Sequence, residues 1–165
     1  MGQRENIDCF LPCDDLAVVE PLVDQMRQSS AVQHINLLVT TGFAGSNKPL
    51  KDTSFIIVDS ISSSRAMLSI AENTDADYAL LYAKTTPLTL GYYALERLQQ
   101  VARETKAMLV YSDHYSMENG ERLAHPVIDY QQGSIRDDFD FGQLVLIDGN
   151  ALRDYARSHD DTDWT

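Results

Sequence analysis

The sequence has few basic residues and no long apolar run. Its 13 Lys and Arg stand against 25 Asp and Glu, which gives a formal net charge of -12 and a pI near 4.5. The basic residues form no block, so a general affinity for nucleic acid or for an anionic membrane surface is disfavoured. No apolar run approaches the roughly 18 residues of a membrane helix, and the polar start has no secretory core behind it. We therefore expect a cytoplasmic protein with no nucleic-acid partner and no membrane-spanning segment.

Cysteine is also scarce. Cys9 and Cys13 lie too close together for a typical disulfide framework, and no second Cys pair or nearby His completes a zinc site. We expect two reduced thiols packed around the first strand.

What the sequence does contain is enough apolar material for a core. At 165 residues and 44% hydrophobic content, the simplest organisation is one domain over 1–165, with a core over about 6–152 and an acidic tail over 153–165. Apolar runs alternate with helical patterns, which predicts an α/β fold with a mainly parallel sheet and helices on both faces. The predicted strands are Ile7–Leu11, Ile35–Val39, Phe55–Asp59, Tyr78–Tyr82, Met108–Tyr111 and Leu144–Ile147.

The predicted helices follow from capping residues and 3–4 spacing. Pro21 suits a first helical turn, Ser62–Ser64 cap a second helix, Thr89 opens a third, and Asn150–Arg157 forms the last. The stretch 43–53 is predicted to be an irregular loop. The inward face of the third helix is assigned to Tyr92, Leu95, Leu98, Val101 and Ala102.

Polar residues follow two of the predicted strands. In an open α/β sheet the carboxyl ends of the strands form the crevice where ligands bind. We therefore expect Ala83–Pro87 and Ser112–Tyr115 to lie side by side on that rim.

A hairpin and a long loop follow the rim. Glu118-Asn119-Gly120 predicts a hairpin turn, across which His114 and His125 can pair. With Asp113 they can form a metal site, or they are incidental surface imidazoles. The loop from 126 to 141 is long enough to indicate a role.

Three features of the run from Ala76 to Leu152 resemble a known family. A strand begins at Asp77-Tyr78, a helix entry follows at Pro87-Leu88-Thr89, and a second strand ends in Tyr111-Ser112-Asp113. The run is similar to the donor-binding half of family 2 glycosyltransferases of the GT-A fold, and Gly142–Ile147 fits the strand that closes the donor site. Segments 111–115, 125–130 and 134–142 resemble the amino-terminal domain of Bacteroides-type two-domain glycosyltransferases.

The resemblance implies transfer of a sugar from a nucleotide-sugar donor to a glycan acceptor, with inversion by direct displacement. The positions it assigns to donor binding are Asp14, Arg65, Lys84, Asp113 and Arg136. The family's acceptor half, with its general base, is expected beyond the closing strand. We therefore expect a piece of a longer protein, partnered by a downstream catalytic domain, and a chain that is inactive alone.

The metal ligands of the family are missing. Ala83-Lys84-Thr85 stands where the family has Asp-x-Asp, and Thr40-Thr41 stands where it has acidic residues. No Mn²⁺ or Mg²⁺ cofactor is therefore expected, since Ala and Thr supply no anionic oxygens. Either Lys84 provides the positive charge directly, or the domain is a non-catalytic accessory or binding module. Whether the chain is an enzyme stays open.

Several residues have a structural alternative beside the functional one. Asp113 is either a ligand for ribose or metal or a turn-capping carboxylate. Arg65 and Arg136 each bind a phosphate or form a local ion pair. Tyr92 and Tyr93 form a sugar-stacking platform, or one packs inward and the other is half exposed.

Overall fold

The computed structural model describes residues 5–60, 63–127 and 141–158. Within these ranges the strands are β1 (Ile7–Pro12), β2 (Val32–Val39), β3 (Ser54–Ile57), β4 (Tyr78–Tyr82), β5 (Leu109–Tyr111), β6 (His114–Glu118), β7 (Glu121–His125) and β8 (Leu144–Asp148). The helices are α1 (Leu16–Arg27), α2 (Thr41–Ser46), α3 (Ser64–Glu72), α4 (Ala94–Thr105) and α5 (Gly149–Ser158). The last six residues of α5 therefore belong to the region predicted as a tail, and 159–165 lie outside the described residues.

Six of the strands form one sheet in the order β3-β2-β1-β4-β8-β5. The neighbours among β1 to β4 are parallel, as predicted. Strand β8 is antiparallel to both β4 and β5, so these two strands point the same way with β8 between them. The α/β class and the mainly parallel sheet are confirmed, with one antiparallel strand in the interior.

Helices cover both faces of the sheet, as predicted. Alternate residues of β1 point to opposite faces, so Cys9 and Leu11 pack in one apolar cluster with α1 and α4. Phe10 points the other way and packs in a second cluster with α3 and α5. Since the central strands are buried on both faces, β1 and β4 are largely apolar, and β2 is buried over its last five residues.

A buried carboxylate ties the centre of the sheet together. Asp8 is fully buried, and its Oδ2 accepts hydrogen bonds from the backbone N–H groups of Asp75 (2.8 Å) and Ala76 (2.9 Å). Its Oδ1 lies 2.9 Å from Nδ1 of His34 on β2. One side chain thus joins β1 to β2 and to the turn that leads into β4.

Two helical predictions are wrong in detail. Helix α1 begins at Leu16 rather than near Pro21, because the Asp15 carboxylate caps it by accepting from the N–H of Ala17 at 2.9 Å. The first four residues of the predicted irregular loop belong to the short helix α2, which is capped by the Thr40 hydroxyl accepting from the N–H of Phe43. The cap predicted for α3 is confirmed at Ser63.

The prediction for α4 is wrong at its start. The helix begins at Ala94, five residues after Thr89, because the preceding segment packs along α1 instead of turning into a helix. Leu90 belongs to that segment, and its N–H donates to Gln25 Oε1 at 2.9 Å. Leu95, Leu98 and Ala102 are buried as predicted, but Tyr92 and Val101 are exposed.

The two cysteines are free and buried, as predicted. Burial raises the pKa of the Cys9 thiol, and the neighbouring Asp8 carboxylate raises it further. The pKa of Cys13 is also raised, first by burial and then by Asp14. Both thiols therefore resist ionisation, which makes them packing residues rather than nucleophiles.

The hairpin prediction is confirmed. Strands β6 and β7 pair with each other, and Asn119 and Gly120 both have positive φ (51° and 82°). Positive φ at both central residues is the requirement of a two-residue type I′ turn.

Candidate functional site

The carboxyl edge of the sheet brings together the strand ends that the sequence singled out, but not in the expected order. Ala83 follows β4, and its N–H donates to the carbonyl of Gln143 at 2.8 Å, just before β8 begins. Strand β8 therefore separates the loop after β4 from the loop after β5. The two loops lie about 10 Å apart rather than side by side, since each strand spacing is about 4.8 Å.

Lys84 lies at this edge as an exposed side chain. It borders a depression of about 10 Å³ whose other walls include Pro12 and Asp15 from the end of β1 and Leu22 of α1. That volume is about the space of one water molecule. The depression is therefore a shallow surface feature beside the Lys84 ammonium and not an enclosed pocket.

The loop that carries Lys84 is held by a tyrosine that sequence reasoning did not assign to the site. Tyr82 is the last residue of β4, and its hydroxyl donates to the carbonyl of Thr86 at 2.9 Å. The same hydroxyl lies 3.0 Å from the Thr86 side-chain oxygen. The sequence did contain a signal for this role of Tyr82. It is a polar aromatic residue at the end of a buried strand, and a buried tyrosine hydroxyl needs a hydrogen-bond partner.

The two aspartates after β1 have different structural roles. Asp14 is exposed at the carboxyl edge. Asp15 is committed to the start of α1 as its cap. Of the two, Asp14 is therefore the one with a carboxylate open to a ligand.

Arg65 is on α3, and its guanidinium lies 3.7 Å from the Asp59 carboxylate. Both side chains are largely exposed, and exposed pairs of this kind contribute less than about 1 kcal/mol. The salt-bridge alternative for Arg65 thus has a partner, Asp59, which the sequence did not identify in that role. A pair this weak can open to admit an anionic group.

Asp113 caps a turn. Its Oδ1 accepts a hydrogen bond of 2.7 Å from the backbone N–H of Val127, which follows β7. One carboxylate oxygen therefore closes the base of the hairpin, as the structural alternative predicted. Arg136 lies outside the described residues, as does most of the long loop predicted after Pro126.

The histidines of the hairpin face each other. His114 and His125 are directly opposite in the β6–β7 ladder, and their rings stack with centroids 4.8 Å apart and planes 10° apart. His125 Nε2 is 2.7 Å from the Ser116 hydroxyl, whereas His114 Nδ1 is buried with no hydrogen-bond partner. The predicted pairing is confirmed in this stacked form.

At the positions where the family has its acidic metal ligands, the described residues do not fit a divalent cation of the Mn²⁺ or Mg²⁺ type. Ala83, Lys84 and Thr85 offer no carboxylate, and the Thr40 side chain is used to cap α2. Such ions require several anionic or carbonyl oxygens. Among the described residues, no cluster of three or more His, Cys, Asp or Glu has the geometry to hold a metal.

Comparison with known proteins assigns the chain to no family. No protein-family model matches the sequence, and no curated protein matches it either. None of the helices within the described residues is long and apolar enough to cross a membrane.

Proposed function

We propose that this chain is the donor-side domain of a GT-A glycosyltransferase, which transfers a sugar from a nucleotide-sugar to a glycan acceptor. The observation that supports the proposal most is the place of β8, antiparallel between β4 and β5. It brings the ends of β1, β4 and β5 and the start of β8 to one edge. In open α/β sheets that edge is where ligands bind.

Lys84 takes the role of the missing metal in this proposal. An ammonium facing the diphosphate stabilises the negative charge that grows on the leaving nucleotide. The amino end of α1 borders the same depression, and the partial positive charge of a helix amino terminus favours an anion there. Asp14 follows β1 at this edge, and the weak Arg65–Asp59 pair follows β3, two strands away with β2 between them.

The proposed reaction is a direct displacement. The acceptor hydroxyl oxygen forms a bond to the anomeric carbon while the bond from that carbon to the diphosphate oxygen breaks, and the nucleoside diphosphate leaves. A general base must take the hydroxyl proton. We assign that base to a downstream catalytic domain of the same parent protein, in the cytoplasm, where the reduced thiols Cys9 and Cys13 are also expected.

A second candidate function is a non-catalytic accessory module. It is favoured by the size of the depression at Lys84, about 10 Å³, because small-molecule sites usually measure about 300–1,000 Å³. It is also favoured by the use of the Asp15 and Asp113 carboxylates as caps. In this case the domain positions a neighbouring catalytic domain or binds a glycan.

Calorimetry with a panel of nucleotide-sugars, in Mn²⁺ and in chelator, tests the proposal. We expect binding that is unchanged by the chelator and weakened at least about tenfold in Lys84→Ala, since a charge-assisted contact contributes about 1.5–3 kcal/mol. Lys51→Ala is the matched control, because Lys51 is also exposed but lies before β3 at the opposite edge.

Two results contradict the proposal. The first is the absence of binding heat from every nucleotide-sugar up to the millimolar range. The accessory module would then be the remaining candidate function. The second is an equal loss of affinity in Lys84→Ala and Lys51→Ala, which assigns the effect to net charge.

A further inference from the structure

A pair of exposed tyrosines marks a second surface on the molecule. Tyr92 and Tyr93 precede α4 with 89% and 66% of their surface exposed. Their rings touch edge to face, with centroids 4.7 Å apart and planes 88° apart. Two large aromatic rings left in water cost hydrophobic free energy, which folding normally avoids by burying at least one of them.

The backbone holds these rings outward. Tyr93 has φ 53° and ψ 29°, a left-handed backbone conformation that residues other than glycine adopt only with strain. The strain comes with the abrupt start of α4, which has no side-chain cap. A strained residue that presents its ring to solvent is a reason to look for a ligand beside it.

An open groove of about 410 Å³ lies beside the two tyrosines. This is the size of a small-molecule site. The groove is bordered by the end of α1, the segment before α4 and the first turn of α4. Its side chains that can form hydrogen bonds are Gln25, Gln28, Ser29, Tyr92, Tyr93 and Glu96.

The polar groups of the groove are partly fixed. The Ser29 hydroxyl donates to Glu96 Oε1 at 2.7 Å. Gln25 accepts from the Leu90 N–H with its Oε1, so its amide N–H groups are the ones that remain for a ligand. The groove therefore offers amide donors and a positioned carboxylate acceptor beside an aromatic corner.

The charge of the groove selects the class of ligand. The residues that the structure places around it include one carboxylate, Glu96, and no Lys, Arg or His. With a net charge of -12 on the chain, this surface repels phosphates and other anions. A neutral ligand with an apolar face and several hydroxyls fits both the tyrosines and the polar groups.

We propose that this groove binds an uncharged sugar residue of a glycan, which stacks on Tyr92 or Tyr93 and donates a hydroxyl hydrogen bond to Glu96. The groove is separate from the carboxyl edge. Helix α1 starts at that edge and extends about 18 Å at 1.5 Å per residue, and the groove adjoins its far end. The inference therefore does not depend on a donor binding near Lys84.

Saturation-transfer NMR and titrations with neutral trisaccharides of glucose, mannose and N-acetylglucosamine, without nucleotide, test the inference on the whole chain. We expect saturable binding of at least one of them. Tyr92→Ala should weaken it about five- to tenfold, since an aromatic contact of this kind contributes about 1 kcal/mol. Tyr92→Phe should retain it within about twofold, because the ring remains.

Two further variants keep the outcome interpretable. Tyr93→Gly removes the second ring and relaxes the left-handed backbone, so it should weaken binding without lowering the thermal midpoint. Tyr115→Ala is the matched control, because Tyr115 is exposed on β6, outside the groove. The inference is overturned if no trisaccharide binds up to 10 mM, or if Tyr115→Ala weakens binding as much as Tyr92→Ala.

Discussion

Single side chains at the carboxyl edge are mostly committed to building the loops. Asp15 caps α1, Asp113 caps the turn after β7, and Tyr82 holds the loop that presents Lys84. Among the described residues of this edge, Lys84 and Asp14 are exposed, and Arg65 is held by a weak ion pair. The described part of the edge therefore presents a cation, Lys84, and no cluster of metal-binding side chains.

Cys9 makes stability depend on pH in the alkaline range. Its pKa is raised in the folded state, by burial first and by Asp8 second. Above the unfolded pKa of about 8.5 the unfolded chain loses this proton while the folded chain keeps it, so stability falls as pH rises. We expect the free energy of unfolding to drop between pH 8 and pH 10, with this group contributing up to about 1.4 kcal/mol per pH unit.

Urea unfolding of the wild type and of Cys9→Ala at pH 7, 8, 9 and 10 measures this effect. The variant is less stable at every pH because it loses packing, but its decline above pH 8 should be shallower. A residual slope is expected because the pKa values of Cys13 and Tyr78 are also raised. Parallel declines in the two proteins would show that Cys9 does not cause the pH dependence of the unfolding free energy.

At the scale of elements, the stability of the sheet depends on how β1 is joined to its neighbours. Strand β1 pairs with β2 on one side and β4 on the other, and Asp8 adds a side-chain link in both directions. The backbone of α5 approaches the backbone before β4 closely, and the N–H of Gly149 donates to the Asp77 carbonyl at 2.7 Å. A Cβ at Gly149 would lie 2.5 Å from the Ala76 carbonyl oxygen, so only glycine fits there.

Asp8→Ala should cost about 3 kcal/mol of unfolding free energy. The change leaves two backbone N–H groups, of Asp75 and Ala76, without their charged acceptor, and each such hydrogen bond contributes about 1.5–3 kcal/mol. Asp24→Ala is the control, because Asp24 pairs with Arg27 on the exposed side of α1 and should change stability by less than about 1 kcal/mol. Equal effects of the two variants in urea unfolding would contradict this role for Asp8.

The strands of the six-stranded sheet could be predicted from the sequence because each contains an apolar run followed by polar residues, as at Tyr78–Tyr82. The place of β8 could not, since its pairing with β4 joins residues more than 60 positions apart and no local pattern encodes it. The start of α4 failed for a similar reason. Thr89 is a reasonable cap, but packing of the segment around Leu90 against α1 outweighs it.

The same contrast applies to the site. Lys84 and Asp113 could be placed at strand ends from the sequence, because a strand end is a local feature. The partner of Arg65 and the groove at Tyr92 could not. A 3–4 pattern indicates Tyr92 as a core residue, but Tyr92 precedes the first helical residue by two positions, and its exposure depends on a left-handed turn at Tyr93.

At the scale of the whole molecule, two surfaces of different character lie at opposite ends of α1. The carboxyl edge carries Lys84 and the amino end of a helix, which suits an anion. The far groove carries tyrosines, amides and a carboxylate, which suits a neutral hydroxylated ligand. A glycosyltransferase domain would need both kinds of surface, one for the nucleotide and one for the glycan.

The central claim is that the carboxyl edge binds a nucleotide diphosphate without a metal. It is tested most directly by recording two-dimensional amide NMR spectra of the ¹⁵N-labelled chain during a titration with UDP and GDP in chelator. We predict saturable shifts at residues 13–15, 40–42, 83–86 and 88 and at Gly142 and Gln143, with little change at Tyr92 and Tyr93. An unchanged spectrum at 10 mM nucleotide, or shifts confined to residues far from this edge, would contradict the account.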